Sequence, residues 1–357
     1  MDFKDSPEEA AYRAEVRAWL QANSQPRQRA DQVFGEGLDD AAKLAAAKAW
    51  QARKAQAGYA AITWPKEMGG QGGTAMQEVI YKQEEAGYLV PRMIFENSLG
   101  QCLPTIATWA LPELKARHLA KGLAGEEIWC QLFSEPAAGS DTGGIRTRAD
   151  QQGDQWIVNG QKVWTSGAHF CDYGILLARS DWDKPKQEGL TMFILDMKAP
   201  GVEIRPIHQM SGDAEFNEVF LNDVRIADTH RLGPACGGWK VMLSTLMHER
   251  LAVGGHLPTD LHKRLIDLAR KCRWNGKPAI DDARVRERVA DAFLLQHGVE
   301  LIIARGLTAL SKGKAPGPEM SITKLVAAKA MQDIASFALE LAGPEGALSH
   351  ESIGQDW

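Results

Sequence analysis

Hydrophobic positions along the chain change their period twice. Near the start Tyr12, Val16, Trp19 and Leu20 recur at i, i+4, i+7 and i+8, the spacing of one buried helix face, and the pattern fades at Asn23. Ser6, Pro7 and Glu9 precede that stripe as N-cap, N1 and N3 residues, so a helix should begin at Pro7. A second stretch, DDAAKLAAAKAWQARKAQAG, is alanine-rich and stops at Gly58, and further helices are expected near 75–86 and 111–123. Residues 1–127 therefore read as a helical domain.

From residue 128 the period becomes two. WIVNGQKVW sets Asn159-Gly160 between two alternating apolar runs, a strong hairpin signal because both central turn positions favour residues that tolerate positive φ. YGILLAR, LTMFILDM, VEIRPI and EVFLNDVRI continue the series, which makes 128–235 a middle antiparallel β domain. After GPACGGW the helical period returns in 239–253, 261–271, 283–310 and 319–341, so 236–357 reads as a helical bundle. The expected class is α+β, mainly α, and its α, β, α order excludes a Rossmann fold, in which strands and helices would alternate.

Charge narrows the function classes. The 357 residues carry 41 Lys plus Arg against 46 Asp plus Glu, a formal charge of -5, and such a balance disfavours a nucleic-acid binder. No apolar run approaches the ~20 residues of a membrane span, and MDFKDSPEEA lacks the pattern of a signal peptide. A cytoplasmic protein is expected. Cys102, Cys130, Cys171, Cys236 and Cys272 are spread singly with no CxxC, so they read as buried small residues rather than as disulfides or metal ligands.

Four segments are candidates for chemistry. GGQGG at Gly69 to Gly73 reads as a flexible connector, since no strand precedes it and no Lys-Ser/Thr follows. His248-Glu249-Arg250 falls in the helical stretch 239–253, where a Glu-Arg step by itself is an ordinary solvated or ion-paired feature. FSEPAAGSDTGG, Phe133 to Gly144, offers many backbone N–H groups and suits an anion, a ring edge or an ordinary surface turn. Trp164, Thr165 and Ser166 end the second strand of the Asn-Gly hairpin as an aromatic face followed by two hydroxyls; the plain alternative is a buried core tryptophan.

QLFSEPAAGSD, followed by GIRTRADQQGDQWIVNGQKVWTSGAH, closely resembles the signature of the flavin-dependent acyl-CoA dehydrogenases, and WPKEMGGQGG is similar to that family as well. The resemblance implies a helical N-terminal domain, a middle β domain and a C-terminal four-helix bundle, usually assembled as a tetramer, with FAD as cofactor. It assigns Gln131, Phe133, Ser134 and Ser140 to the loop that holds the isoalloxazine ring and borders the acyl thioester, so that Ser140 faces both cofactor and substrate. Trp164 would pack against the flavin and Ser166 would hydrogen-bond near N5. The implied reaction is α,β-dehydrogenation of an acyl-CoA to the trans-2-enoyl-CoA, part of acyl-CoA catabolism, with electrons passing to an electron-transfer flavoprotein. Glu249 directly before Arg250 matches the minority of members whose base lies on a helix, with Arg250 structural or orienting the CoA end.

Departures from the family pattern are equally specific. Where members carry Gln-x-x-Gly-Gly-x-Gly this chain reads LELAGPEG, with Leu339 in the Gln position and Gly343 retained, and RKCRWNGKP replaces the usual diphosphate grip. No diphosphate ligand is assigned there. The altered neighbour contact is the pattern expected of a heteromer, and the alternative function is a poorly active partner subunit. Members usually run some tens of residues past the equivalent of Trp357, so the resemblance implies an incomplete C-terminal bundle lacking the segment that donates an N–H to the thioester carbonyl. Substrate choice would rest on helices around 97–109 and around Glu249, with a weak likeness to subfamilies acting on dicarboxylic, aromatic or steroid-derived CoA esters.

Overall fold

The first helix starts where its cap residues place it. In the computed structural model α1 spans Pro7–Asn23 and buries Tyr12, Val16 and Leu20, while Trp19 packs at the edge of that stripe against Trp50 and Tyr59 at centroid distances of 5.3 and 4.9 Å. The structure describes residues 5–28, 32, 34–35, 37–91, 93–253, 261–312, 314 and 317–348; the side chains of 93, 249–253, 310, 311 and 318 lie outside that description. By their contacts these residues form two units, one of 9–252 and one dominated by 253–357.

In the first unit α1 leads through a two-residue strand, β1 (Gln25–Pro26), to α2 (Asp40–Gln56), whose N-terminus is capped by the Asp39 carboxylate accepting the Ala42 N–H at 2.8 Å. A reciprocal capping box of Thr74 and Gln77 opens α3 (Ala75–Glu85). Then come β2 (Tyr88–Leu89), antiparallel to β1, a π-helical turn over Ser98–Cys102, α4 (Leu103–Trp109) and α5 (Pro112–Ala124). GGQGG is a tied turn rather than a flexible connector. Its amides at Gly70, Gln71, Gly72 and Gly73 donate to the carbonyls of Pro65, Ala61, Trp64 and Ile62, and a Cβ on Gly70 would sit 2.1 Å from the Trp64 carbonyl oxygen. With its N–H groups used in this way, the turn has none to offer a phosphate.

Eight strands follow: β3 (Trp129–Leu132), β4 (Arg148–Gln152), β5 (Gln155–Ser166), β6 (Tyr173–Arg179), β7 (Leu190–Asp196), β8 (Val202–Ile207), β9 (Phe216–Ala227) and β10 (Arg231–Leu232). They form one sheet in the order β10-β7-β6-β4-β5-β9-β8, with β3 against β6. The ladders are antiparallel except that β3 runs parallel to β6 and β4 meets β6 in parallel at Arg148 and Arg179. A core of Leu132, Trp156, Val158, Phe193, Val219 and Leu221 lies among these strands. Leu103, Ile106, Trp129, Ile175 and Met192 form a second core with Val241 and Met242 of α6 (Gly238–Val253).

The hairpin does not turn at Asn159-Gly160. It turns two residues after β4, at Gly153-Asp154, where Gly153 has φ +63° and Gln152 pairs with Gln155. Asn159-Gly160 lies inside β5, where the register against β9 slips between Val158 and Gly160. The glycine serves a close approach, because a Cβ there would meet the Thr147 Oγ1 at 2.5 Å and its Cα at 2.7 Å. Asn159 meanwhile exchanges hydrogen bonds with Asp223, through its Nδ2 to a carboxylate oxygen at 3.0 Å and from the Asp223 N–H at 2.9 Å. The dipeptide thus marks a β-bulge.

The second unit holds α7 (Leu261–Lys271), a ribbon of β11 (Arg273–Trp274) and β12 (Lys277–Pro278), α8 (Ala283–Ser311) and α9 (Ser321–Ala342). Its core is Leu265, Ala269, Cys272, Val285, Val289, Phe337 and Leu341.

Candidate functional site

Strand β3 ends in the loop that carries most of the candidate residues. Gln131 is half-buried opposite Ile175 of β6, Phe133 is buried and Ser134 half-buried. Glu135 and Ala138 then exchange both backbone hydrogen bonds, at 2.9 and 3.0 Å, which closes a tight turn and leaves Ser140 exposed just beyond it. The far side of the loop is clamped by the buried Arg179 guanidinium, which donates to the carbonyls of Gly143 at 2.7 Å and Lys186 at 2.8 Å. The loop is thus held at its turn and on its far side by specific hydrogen bonds.

Beneath it lies a feature the sequence reading missed. Lys162 is 0% exposed, and its ammonium donates to the Phe133 carbonyl at 3.0 Å and to Glu135 Oε1 at 2.8 Å. The Glu135 carboxylate also accepts the N–H groups of Arg146 at 2.6 Å and Thr147 at 2.9 Å. Burial alone would raise the Glu135 carboxyl, but Lys162 and these amides outweigh it and hold it below the usual range. Burial pulls Lys162 the other way, down to about 8, with the Glu135 charge limiting the fall, so both groups are charged at neutral pH. The available signal was a lysine at an even spacing from Trp156 and Val158, on the strand face those two residues bury.

The end of β5 is tied to the same loop by the Val163 N–H, which donates to the Ser134 carbonyl at 3.0 Å. The next residue, Trp164, has φ +60° and is 59% exposed, with its ring edge-on to Phe216 at 6.0 Å. A bulky residue in left-handed backbone costs on the order of 1–3 kcal/mol. The reading of Trp164 as a core residue is therefore overturned: a second register slip, between Lys162 and Thr165, turns it out of the sheet. Thr165 is buried with no partner for its Oγ1, and Ser166 is half-buried.

Hydrogen bonds thus bring Phe133 and Ser134 against the Trp164–Ser166 segment, with Gln131 just before them and Ser140 six residues past Ser134. The six candidate cofactor residues supply hydroxyls, one amide and two aromatic rings and no ionisable group, a donor set that fits a planar, polar-edged ring such as a flavin. Among the described residues no group of three or more His, Cys, Asp and Glu could hold a metal ion.

Helix α6 is fixed to α4 by polar contacts. Thr105 and Thr245, both fully buried, hydrogen-bond at 2.9 Å, and the Trp109 indole N–H donates to Ser244 Oγ at 2.8 Å. Glu249 follows Thr245 by four residues along this helix; the side chains of Glu249 and Arg250 lie outside the described residues. His248 is half-buried, and that burial lowers its pKa, so it is mainly neutral at pH 7.

Three successive family models match the chain: Acyl-CoA dehydrogenase, N-terminal domain, over 6–126; Acyl-CoA dehydrogenase, middle domain, over 130–224; and Acyl-CoA dehydrogenase, C-terminal domain, over 237–357. Acyl-CoA dehydrogenase IpdE1 of Mycobacterium tuberculosis is 33% identical over 354 residues, covering 97% of this chain and 89% of that protein. Acyl-CoA dehydrogenase FadE34 of the same organism is 34% identical over 304 residues, and the match covers 85% of this chain but 42% of that longer protein. The solved structure described as "Tcur3481-Tcur3483 steroid ACAD" superposes with a TM-score of 0.77 at 25% identity, over 99% of this chain and 89% of that one.

Proposed function

Since the chain belongs to the acyl-CoA dehydrogenase family, FAD-dependent oxidoreductases acting on acyl-CoA, we propose that it carries out α,β-dehydrogenation of an acyl-CoA thioester to the trans-2-enoyl-CoA. The observation that carries this reading is the exposed, left-handed Trp164 held beside the Phe133–Ser134 loop with Ser166 two residues on. Bound FAD would supply the hydride-accepting chemistry that removal of the substrate's β-hydrogen needs. Trp164 would pack against the ring and exclude water from it, and Ser166 would offer a hydroxyl near N5. Gln131, Phe133, Ser134 and Ser140 would belong to the loop that holds the ring, with Ser140 also bordering the thioester. Glu249 removes the α-proton, and Arg250 orients the CoA end of the substrate.

This reading keeps the helical, β and helical domains at 1–127, 128–235 and 236–357. It places the protein in acyl-CoA catabolism, with an electron-transfer flavoprotein as acceptor and a homo- or heterotetramer as its assembly. A steroid-derived CoA ester is the favoured substrate class, since the matched solved structure is described as a steroid ACAD. No helix among the described residues is long and apolar enough to cross a membrane, and all five cysteines are unpaired, which supports the cytoplasm as the compartment. A second reading, a poorly active partner subunit of a heteromer, is favoured by Leu339, which stands 58% exposed on α9 in the position where the family carries Gln.

The test is an anaerobic titration of the FAD-loaded chain with a panel of acyl-CoA thioesters, followed in the flavin absorbance band. Bleaching by one thioester, slowed about 10²–10⁴-fold in Glu249→Gln, is the expected result. A chain that takes up no FAD sinks the self-sufficient enzyme and leaves the partner-subunit reading.

A further inference from the structure

We propose that Lys162, paired with Glu135 under the loop, is the positioning residue of the cofactor wall: it fixes the Phe133–Ser140 loop against the Trp164–Ser166 segment. This rests on the preceding reading of that surface as the flavin site. Five hydrogen bonds carry it. The Lys162 ammonium holds the Phe133 carbonyl at 3.0 Å and Glu135 at 2.8 Å; Glu135 in turn gathers the amides of Arg146 and Thr147, eleven and twelve residues ahead. From the next residue after Lys162, the Val163 N–H reaches back to the Ser134 carbonyl. One ammonium thus ties the start of the loop, and through Glu135 the residues that follow it, to the strand two residues before its left-handed tryptophan.

Stability alone does not account for such a pair. A buried ion pair gains little over apolar side chains of the same volume, whereas its directional donors fix where the partner backbone sits. The lowered Glu135 pKa agrees with a carboxylate saturated by donors. The atoms that Lys162 holds belong to one of the two segments that the flavin reading uses, and Lys162 itself lies two residues before the other, so a displacement of either moves the wall.

The test compares two double variants of the full chain, both stripped of the buried charges. Lys162→Met with Glu135→Gln leaves the Phe133 carbonyl without its donor, while Lys162→Gln with Glu135→Gln retains one. Thermal melting of the FAD-free chains, FAD affinity by fluorescence and the flavin absorbance band are read together. The Met variant is expected to melt close to the parent but bind FAD about tenfold more weakly, with a shifted band, and the Gln variant to recover affinity to within about threefold. Equal FAD affinity and spectrum in the Met variant and the parent overturn the proposal. Should the Met variant not fold, Glu135→Asp carries the test by drawing the ammonium away from the Phe133 carbonyl: weaker FAD binding at preserved melting supports the proposal, and unchanged binding overturns it. A parent chain that takes up no FAD overturns the flavin reading itself, a different failure from a yellow parent with an indistinguishable Met variant.

Discussion

Trp156 and Trp164 stand eight residues apart on one strand and live in opposite surroundings. Trp156 is buried, its indole N–H donates to Asp228 Oδ1 at 2.8 Å, and its ring lies 5.3 Å from Phe193. Trp164 is mostly exposed on left-handed backbone. Simple alternation would put both on the same face, since eight is an even number of strand residues. Of the two register slips between them, the first places its extra residue on β9 and the second places it on β5, so β5 changes parity once, and Lys162, Val163 and Thr165 are buried while Trp164 faces out. The start of β5 is held by packing, and its end by one charge pair and the Val163 N–H hydrogen bond to the Ser134 carbonyl. A strand can serve as core and as functional surface in a single pass if a bulge changes which face it offers.

That contrast can be broken in stages. Trp156→Ala should cost the FAD-free chain about 3–5 kcal/mol in urea unfolding, since it opens a cavity and leaves Asp228 without its indole donor. Gly160→Ala should cost about 1–3 kcal/mol by the same measurement, because the new methyl collides with Thr147 and the bulge must shift. Trp164→Gly should lose no stability and gain up to about 1 kcal/mol, the left-handed strain being relieved, while FAD binding weakens. If Trp164→Gly destabilises the FAD-free chain as Trp156→Ala does, the division of β5 into core and surface fails. The mildest effect is confined to acid. The folded Glu135 carboxyl binds its proton more weakly than its unfolded counterpart, so its stabilisation is complete above about pH 4.5 and is lost as pH falls through the lowered folded value. Melting curves between pH 6 and 3 should show this loss in the parent and not in the Lys162→Met, Glu135→Gln chain.

Much of the helical structure is legible because its signals are local. Pro7, Gly238, Leu261 and Ala283 begin helices within a residue or two of where caps and periods place them. β1 and β2, at two residues each, are too short to carry a period. The hairpin turn was misplaced because two turn-forming pairs, Gly153-Asp154 and Asn159-Gly160, lie six residues apart, and only the ladder decides between them. Trp164 was illegible for a related reason: its face depends on a slip in register against β9, a strand some fifty residues downstream, and period two assumes no slip. Lys162 follows the alternation of Trp156 and Val158, but a lysine on a buried face has no evident partner in the sequence, where Glu135 stands twenty-seven residues away. Gln131, Phe133, Ser134, Ser140 and Ser166 drew attention through their motif, since hydroxyls in a small-residue loop carry no pattern of their own. Glu249 was singled out by resemblance alone, because a Glu-Arg step on a helix is commonplace.

The parallel pairing of β3 with β6 bears on the order in which the molecule assembles. The β4–β5 hairpin closes over two residues, whereas Trp129 must find Tyr173 across forty-four. Short loops close first and long ones pay more chain entropy, so β3 should dock onto a sheet whose hairpins already exist. Until it docks, Glu135 and the Phe133 carbonyl are absent from Lys162, and that ammonium stays in water. The loop beside Trp164 then forms after the β4–β5 hairpin, and an unfolding chain should surrender it before that hairpin gives way.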